Sequence, residues 1–389
     1  MVDDILTPAE GVAGSGDRAP REGVGLCLSG GGYRAMLFHV GALWRLNELG
    51  WLPRLSFVSS VSGGSITAGV LALKWQELRF GENGVATNFP DQIADPLRAL
   101  ANRTIDVPSI LTGIITPRKT VGDRTTALLR QHLFDAATLA DLPDDPRFVI
   151  TATNLHSGSL WRFSKPYMRD WQVGRVSKPS VPLAQAVAAS AAFPPVLSPV
   201  TLEIDPASWD VIESKPREDL RPWPPRKIKL SDGGVYDNLG LQPVLQRCAT
   251  VLVSDGGGHM SYEARVASDW LQHLRRILTV VDNQVRSLRK TELIEDYRRG
   301  TFSGAYWGIR GDMSDYLRQA QKPVADALSA PFASTMELAA IATRLASMDA
   351  ATQERLINWG YAISDVAMRG MVESADRPPR FPYRRGVPA

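Results

Sequence analysis

The stretch Ser56-Phe57-Val58-Ser59-Ser60-Val61-Ser62-Gly63-Gly64-Ser65 carries an apolar, β-branched run straight into small residues. Ile66-Thr67-Ala68-Gly69-Val70-Leu71-Ala72-Leu73 follows with a helix-compatible composition. A strand that ends in a sharp turn and leaves as a helix presents the residue at the turn. Here that residue is Ser62. Its neighbours Ser60, Gly63, Gly64 and Ser65 are small, as the close passage of the chain on either side of a nucleophile elbow requires. The pattern GxSxG is met at Ser62 and Gly64, with Ser60 standing in for the first glycine. Taken alone, the same residues also suit a helix N-cap behind a tight turn.

One strand earlier, Val24-Gly25-Leu26-Cys27-Leu28-Ser29 runs into Gly30-Gly31-Gly32-Tyr33-Arg34-Ala35 and then into a helical segment that ends near Leu49 and Gly50. Three glycines at a helix N-terminus leave backbone N–H groups unobstructed where the helix dipole favours negative charge, which makes an anion hole. Gly30, Gly32 and Ala35 also fit the dinucleotide pattern GxGxxA, but that reading needs an acidic residue at the end of the next strand. The next strand ends in Ser62 instead. No Gly-Lys-Ser/Thr follows the loop, so a phosphate-binding P-loop is excluded as well. The two strands together have the logic of acyl transfer, with N–H donors from the first loop and a nucleophile from the second.

A third element is Asp232-Gly233-Gly234-Val235-Tyr236-Asp237-Asn238 behind the strand-like Lys227-Ile228-Lys229-Leu230-Ser231. A carboxylate at a strand end, freed by glycines, is suited to take a serine proton. Val251-Leu252-Val253-Ser254 leads into a similar Asp255-Gly256-Gly257-Gly258, and local sequence physics does not choose between Asp232 and Asp255.

The chain has 389 residues, a formal net charge of +3 and two cysteines, Cys27 and Cys248. That length holds one large α/β domain or two domains. The charge is too small to imply nucleic acid, and two cysteines argue against a disulfide framework. No histidine or cysteine cluster has metal-ligand spacing, and no metal or other cofactor is expected. No apolar run is long enough to span a bilayer, and the acidic first twenty residues lack a cleavable leader's pattern. The expectation is a soluble, cytoplasmic protein whose membrane contact is peripheral.

Three regions are expected: a disordered lead over residues 1–22, a catalytic domain over 23–310, and a helical C-terminal extension over 311–389 ending in a basic tail. Within them, Phe148 to Asn154 and Ser159 to Ser164 read as paired strands, and residues 184–192 as an Ala-rich helix. The apolar segment 109–117, bounded by prolines, reads as a buried connector, with a lid or lipid-facing loop as the second reading. Residues 270–299 read as a helix whose arginines form a solvated face. Leu338, Ile341, Leu345 and Met348, then Leu356, Trp359 and Ile363, have the spacing of helices packed on the main domain, and residues 377–385 read as a disordered tail.

Four ordered blocks now stand together: Leu28-Ser29-Gly30-Gly31-Gly32-Tyr33-Arg34-Ala35, Val61-Ser62-Gly63-Gly64-Ser65, Ala189-Ser190-Ala191-Ala192-Phe193-Pro194 and Asp232-Gly233-Gly234-Val235-Tyr236-Asp237-Asn238. With them, residues 24 to about 258 resemble the patatin-like phospholipases, the bacterial branch of the patatin and cytosolic phospholipase A2 superfamily. The resemblance implies a three-layer α/β/α fold with a mainly parallel central sheet, and a Ser-Asp dyad that hydrolyses acyl esters of lipids, phospholipids among them. It makes Ser62 the nucleophile, Asp232 the general base and acid, and Gly30, Gly31, Gly32 and Gly63 the oxyanion hole. It gives Arg34 a part in holding the hole or a substrate phosphate, and it selects Asp232 over Asp255. The departures are Ser60 for glycine and Ser29 where plant members carry Asp.

Two alternatives compete. A Ser-His-Asp α/β-hydrolase esterase would draw on His259 or His273, which follow Asp232 in the right order. All five histidines, including His39, His132 and His156, read more simply as structural. A non-catalytic lipid-binding module on the same fold is the other. Head group, acyl position, oligomeric state and any activating partner are not encoded in these motifs.

Overall fold

The computed structural model describes residues 22–106, 120–210, 224–373 and 377–388, apart from residues 261, 265, 267 and 268. The segment 109–117 and residues 1–21 and 211–223 lie outside the described residues.

In chain order the elements are β1 (Val24–Leu28), α1 (Gly32–Glu48), β2 (Leu55–Val61), α2 (Gly63–Lys74), α3 (Asp95–Ala101), α4 (Val121–Leu129), β3 (Arg147–Asn154), β4 (Ser159–Phe163), β5 (Tyr167–Asp170) and β6 (Gly174–Ser177). They continue as α5 (Leu183–Ser190), β7 (Val200–Glu203), β8 (Lys227–Asp232), α6 (Gly234–Asp237), α7 (Gln242–Leu245), β9 (Thr250–Asp255), α8 (Trp270–Arg298), β10 (Ser303–Gly308), α9 (Met313–Gln319), α10 (Phe332–Ala340) and α11 (Ala350–Met371).

One sheet runs β10-β9-β1-β2-β3-β4-β5-β6. It is parallel from β10 through β3 and antiparallel beyond. The parallel half is buried on both faces, which is why β1 and β9 read as unbroken apolar runs rather than as alternating ones. Successive side chains serve opposite layers. Leu26, Leu28 and Leu252 enter the larger core with α1, α2 and α11, whereas Cys27, Val251 and Val253 enter a second core with Val244 and Leu293. Helices thus cover both faces of the sheet. Cys27 and Cys248 are free thiols in the second core.

The register around β3 positions the chemistry. β2 pairs with β3 from Phe57↔Arg147 to Val61↔Thr151 and then turns away. Along the same edge, β8 takes over in the antiparallel sense, with Asp232 opposite Ala152. The C-terminal ends of β2 and β8 therefore meet head to head.

The C-terminal segment is integral to this body. α11 crosses α1 so closely that a Cβ on Gly41 would lie 1.8 Å from the Ile357 carbonyl oxygen, and one on Gly360 1.9 Å from that of Phe38. Buried Asp365 accepts from Arg45 of α1 at 2.7 Å. Two expectations change here. The helix expected through Met348 stops at Ala340, because Ile341 is extended and the backbone beyond it is bonded elsewhere: the Ile341 carbonyl accepts from Arg34, and the Leu345 N–H donates to Asp106. The tail expected to be disordered is irregular but packed, with Val387 buried and the Tyr383 and Gly386 carbonyls accepting from Asn358.

Candidate active site

Ser62 follows β2 and opens α2 with φ 52° and ψ −120°, a conformation that a non-glycine residue holds only under constraint. The constraint is visible. The Ser62 N–H donates to the Ser190 hydroxyl at 2.9 Å. That hydroxyl bonds Ser65 at 2.8 Å, and Ser65 donates to Ser60 at 3.0 Å. Ser60, the departure from the GxSxG pattern, is thus absorbed into a buried serine chain that pins the turn. A Cβ on Gly63 would lie 2.1 Å from the Gly32 carbonyl oxygen, so the elbow and the glycine loop interlock backbone against backbone.

Asp232 ends β8 almost fully buried. Its N–H donates to the Ala192 carbonyl and the next N–H, of Gly233, to the Ser190 carbonyl. Ser190 therefore buckles the Asp232 loop to the Ser62 elbow. The carboxylate Oδ1 accepts from the Gly234 N–H at 2.7 Å, while Oδ2 is buried without a formed hydrogen bond. Burial pushes the Asp232 pKa up to about 7, against the pull of the Gly234 N–H and of the nearby Ser62 hydroxyl.

Asp255 has the opposite environment. It too is buried, but it accepts from Arg286, Ser29, Tyr306 and the Gly257 N–H. Burial works against its charge, yet Arg286 and the other cations and donors bring its pKa down to about 2. A carboxylate held by four donors and ionised this strongly anchors the start of the glycine loop through Ser29 and is a poor acceptor for a substrate proton.

In the glycine loop, the Gly30 N–H is committed to the Asn238 carbonyl at 3.2 Å. Among the described residues, no protein acceptor takes the N–H groups of Gly31, Gly32 or Gly63, the orphan donors at the starts of α1 and α2. Of the four glycines expected to form the hole, three thus have a free donor. Asn238 also donates to Asp282 of α8, tying glycine loop, Asp232 loop and long helix together.

Arg34 is buried and bonds the Gly256 and Ile341 carbonyls and the Thr343 hydroxyl. Burial, then Arg286, lower its pKa to about 9, which leaves it charged at neutral pH. Motif reading alone could not find the strap formed by residues 340–344. Its Arg344 carbonyl accepts from the Tyr33 N–H, and Ile341 and Thr343 hold Arg34 in place.

Ser62, Asp232, Gly30, Gly31, Arg34 and Asn238 line a cavity of about 380 Å³ whose other walls include Phe193, residues 258–260, α8 and residues 340–343. His259 lines it too, but among the described residues no histidine forms a hydrogen bond with Ser62 or Asp232. His39 is buried between Ser254 and the Ser29 carbonyl, and burial draws its pKa to about 4, so it is neutral and structural.

A sequence model of the patatin-like phospholipases matches residues 26–245, more than half of the chain. The chain belongs to the patatin-like phospholipase family. The match takes in the glycine loop, Ser62, Ser190 and Asp232. Solved structures that resemble this family member include human GIVD cytosolic phospholipase A2, at 12% identity and TM-score 0.49 over 93% of this chain and 61% of that one. The same human enzyme bound to methyl gamma-linolenyl fluorophosphonate matches at 15% identity and TM-score 0.48 over 92% and 59%. VipD from Legionella pneumophila matches at 14% identity and TM-score 0.35 over 90% and 67%. The chain spans about three fifths of the length of the human enzyme. No curated protein matches it in sequence. Both α8 and the strap at 340–344 lie beyond the family match.

Proposed function

We propose that the chain is a serine-dependent lipid acyl hydrolase of phospholipase A type, working through a Ser62–Asp232 dyad. The observation that carries this reading is the pairing of a strained serine at a strand end with a buried carboxylate whose Oδ2 has no hydrogen bond and whose pKa is near 7. Such a group is ionised enough to accept a proton at neutral pH and basic enough to hold it.

In this scheme the Ser62 Oγ attacks the ester carbonyl as its proton passes to Asp232. The tetrahedral oxyanion is received by the N–H groups of Gly31, Gly32 and Gly63. Collapse breaks the ester C–O bond, and Asp232 returns the proton to the departing alcohol. Water then attacks the acyl-Ser62 ester, Asp232 takes its proton, and the fatty acid leaves as Ser62 is reprotonated. Arg34, a buried cation without a carboxylate partner among its hydrogen bonds, is placed to favour an anionic head group beside the scissile ester.

Purified protein is expected to release free fatty acid from detergent-solubilised phospholipid, and Ser62→Ala to abolish that release. His259→Ala and His273→Ala should leave it nearly intact. A loss of about 10³-fold in either histidine variant would move the assignment to a Ser-His-Asp triad. No release by a folded wild type would favour the non-catalytic binding module.

A further inference from the structure

Helix α8 is amphipathic in the reverse of the usual sense. Its polar side faces the protein: Gln272, Arg275, Arg276, Thr279, Asn283 and Arg286 line the catalytic cavity. Arg286 is buried against Asp255, and Asp282 holds Asn238, so these contacts fix which way the helix is turned. The opposite side is apolar and open to solvent. Trp270, Leu274, Ile277, Val281 and Leu288 are 77%, 40%, 46%, 53% and 60% exposed. They recur at four, three, four and seven residues, a spacing that keeps all five on one stripe about 27 Å long. A globular surface rarely leaves such a stripe uncovered without a partner for it.

We propose that this stripe is the membrane-docking surface of the protein, and that the helix lies in the lipid interface with the cavity behind it. The inference rests on the lipid-hydrolase reading of the cavity. Two observations select a bilayer as the occupant. The helix bearing the stripe is itself a wall of the Ser62 cavity, so docking sets that cavity against the layer that holds its substrate. Trp270 stands at the exposed start of the stripe, and its indole has the amphipathic character of residues that settle at head-group depth.

The test uses Ser62→Ala protein, so that lipid is not consumed, sedimented with phosphatidylcholine vesicles with and without phosphatidylglycerol. The Ile277→Glu/Val281→Glu variant is expected to lose at least about tenfold in vesicle binding, while melting at the wild-type temperature reports an intact fold. In the Ser62 background the same pair of changes should leave hydrolysis of a water-soluble short-chain ester unchanged, since neither residue lines the cavity. Vesicle binding equal to that of the parent overturns the proposal. So does a wild-type dimer that the variant converts to monomer with vesicle binding intact, because the stripe then belongs to a second copy. The vesicle measurement does not depend on turnover, so an inactive wild type whose binding still falls in the variant would strike the catalytic reading and leave the docking surface standing.

Discussion

Val61 and Asp232 end two strands that run toward each other along one edge of β3, opposite the successive residues Thr151 and Ala152. The residue after Val61 is Ser62, so a single strand sets the separation of Ser62 and Asp232, the nucleophile and base of the proposed dyad. Gly233 completes the junction, since a Cβ there would lie 2.5 Å from the Thr151 carbonyl oxygen. Gly233→Ala should displace Asp232 and lower kcat by about 10²-fold or more, because small misplacements of a catalytic group are costly. Steady-state kinetics on a soluble ester, with circular dichroism to confirm folding, checks this.

The pH dependence follows from the burial of Asp232. Its pKa of about 7 places the acid limb of kcat/KM near neutrality, with activity rising as the carboxylate ionises, rather than near the ordinary carboxylate value close to 4. Stability runs the other way. A carboxyl whose pKa is raised on folding contributes stability that is full below its unfolded pKa and is lost as pH rises through the folded one. Asp232→Asn should therefore be inactive yet more stable than wild type at pH 8, by a few kcal/mol, since each tenfold change in proton affinity on folding is worth about 1.4 kcal/mol. The advantage should vanish at about pH 4, and thermal melts across that range measure it.

Ser190 is a positioning residue. Ser190→Ala removes the acceptor of the Ser62 N–H and breaks the serine chain, leaving a buried donor unsatisfied at about 1–3 kcal/mol. Because the Ser190 carbonyl still holds Gly233, the damage should fall on the elbow, reducing kcat with KM little changed. A loss of substrate binding with kcat preserved would argue for a merely structural role.

Asp255 should separate cleanly from Asp232. Asp255→Asn leaves the buried Arg286 without its carboxylate, and removing one partner of a buried pair costs about 3–5 kcal/mol. With its pKa depressed to about 2, Asp255 contributes stability above its unfolded value that is lost as pH falls toward 2. Chemical denaturation should show the loss at neutral pH, while any residual activity keeps an acid limb near 7.

The glycine loop, the elbow and the Asp-Gly-Gly turn were legible because each is a local pattern: small residues where backbones nearly touch, and an acid where a strand ends. What brings them together is not local. The head-to-head meeting of β2 and β8 depends on pairings across long separations of chain, and no periodicity announces it. Ser190 was visible as one residue of a matching block, but the two hydrogen bonds by which its hydroxyl holds the elbow and its carbonyl the Asp232 loop exist only in three dimensions. The arginines of α8 read as a solvated face because charge usually faces water. Here Asp255, Asp282 and the cavity draw them inward and turn the apolar residues out. The strap at 340–344 has helical spacing, yet its Ile341 and Arg344 carbonyls are taken by Arg34 and Tyr33, and the N–H of Leu345 just beyond it by Asp106.

The most direct test of the dyad is covalent labelling by a fluorophosphonate at neutral pH, comparing wild type with Ser62→Ala and Asp232→Asn. An activated serine with Asp232 as its base predicts rapid labelling of the wild type and none of either folded variant. Labelling of Asp232→Asn at the wild-type rate, or of Ser62→Ala at all, would contradict it.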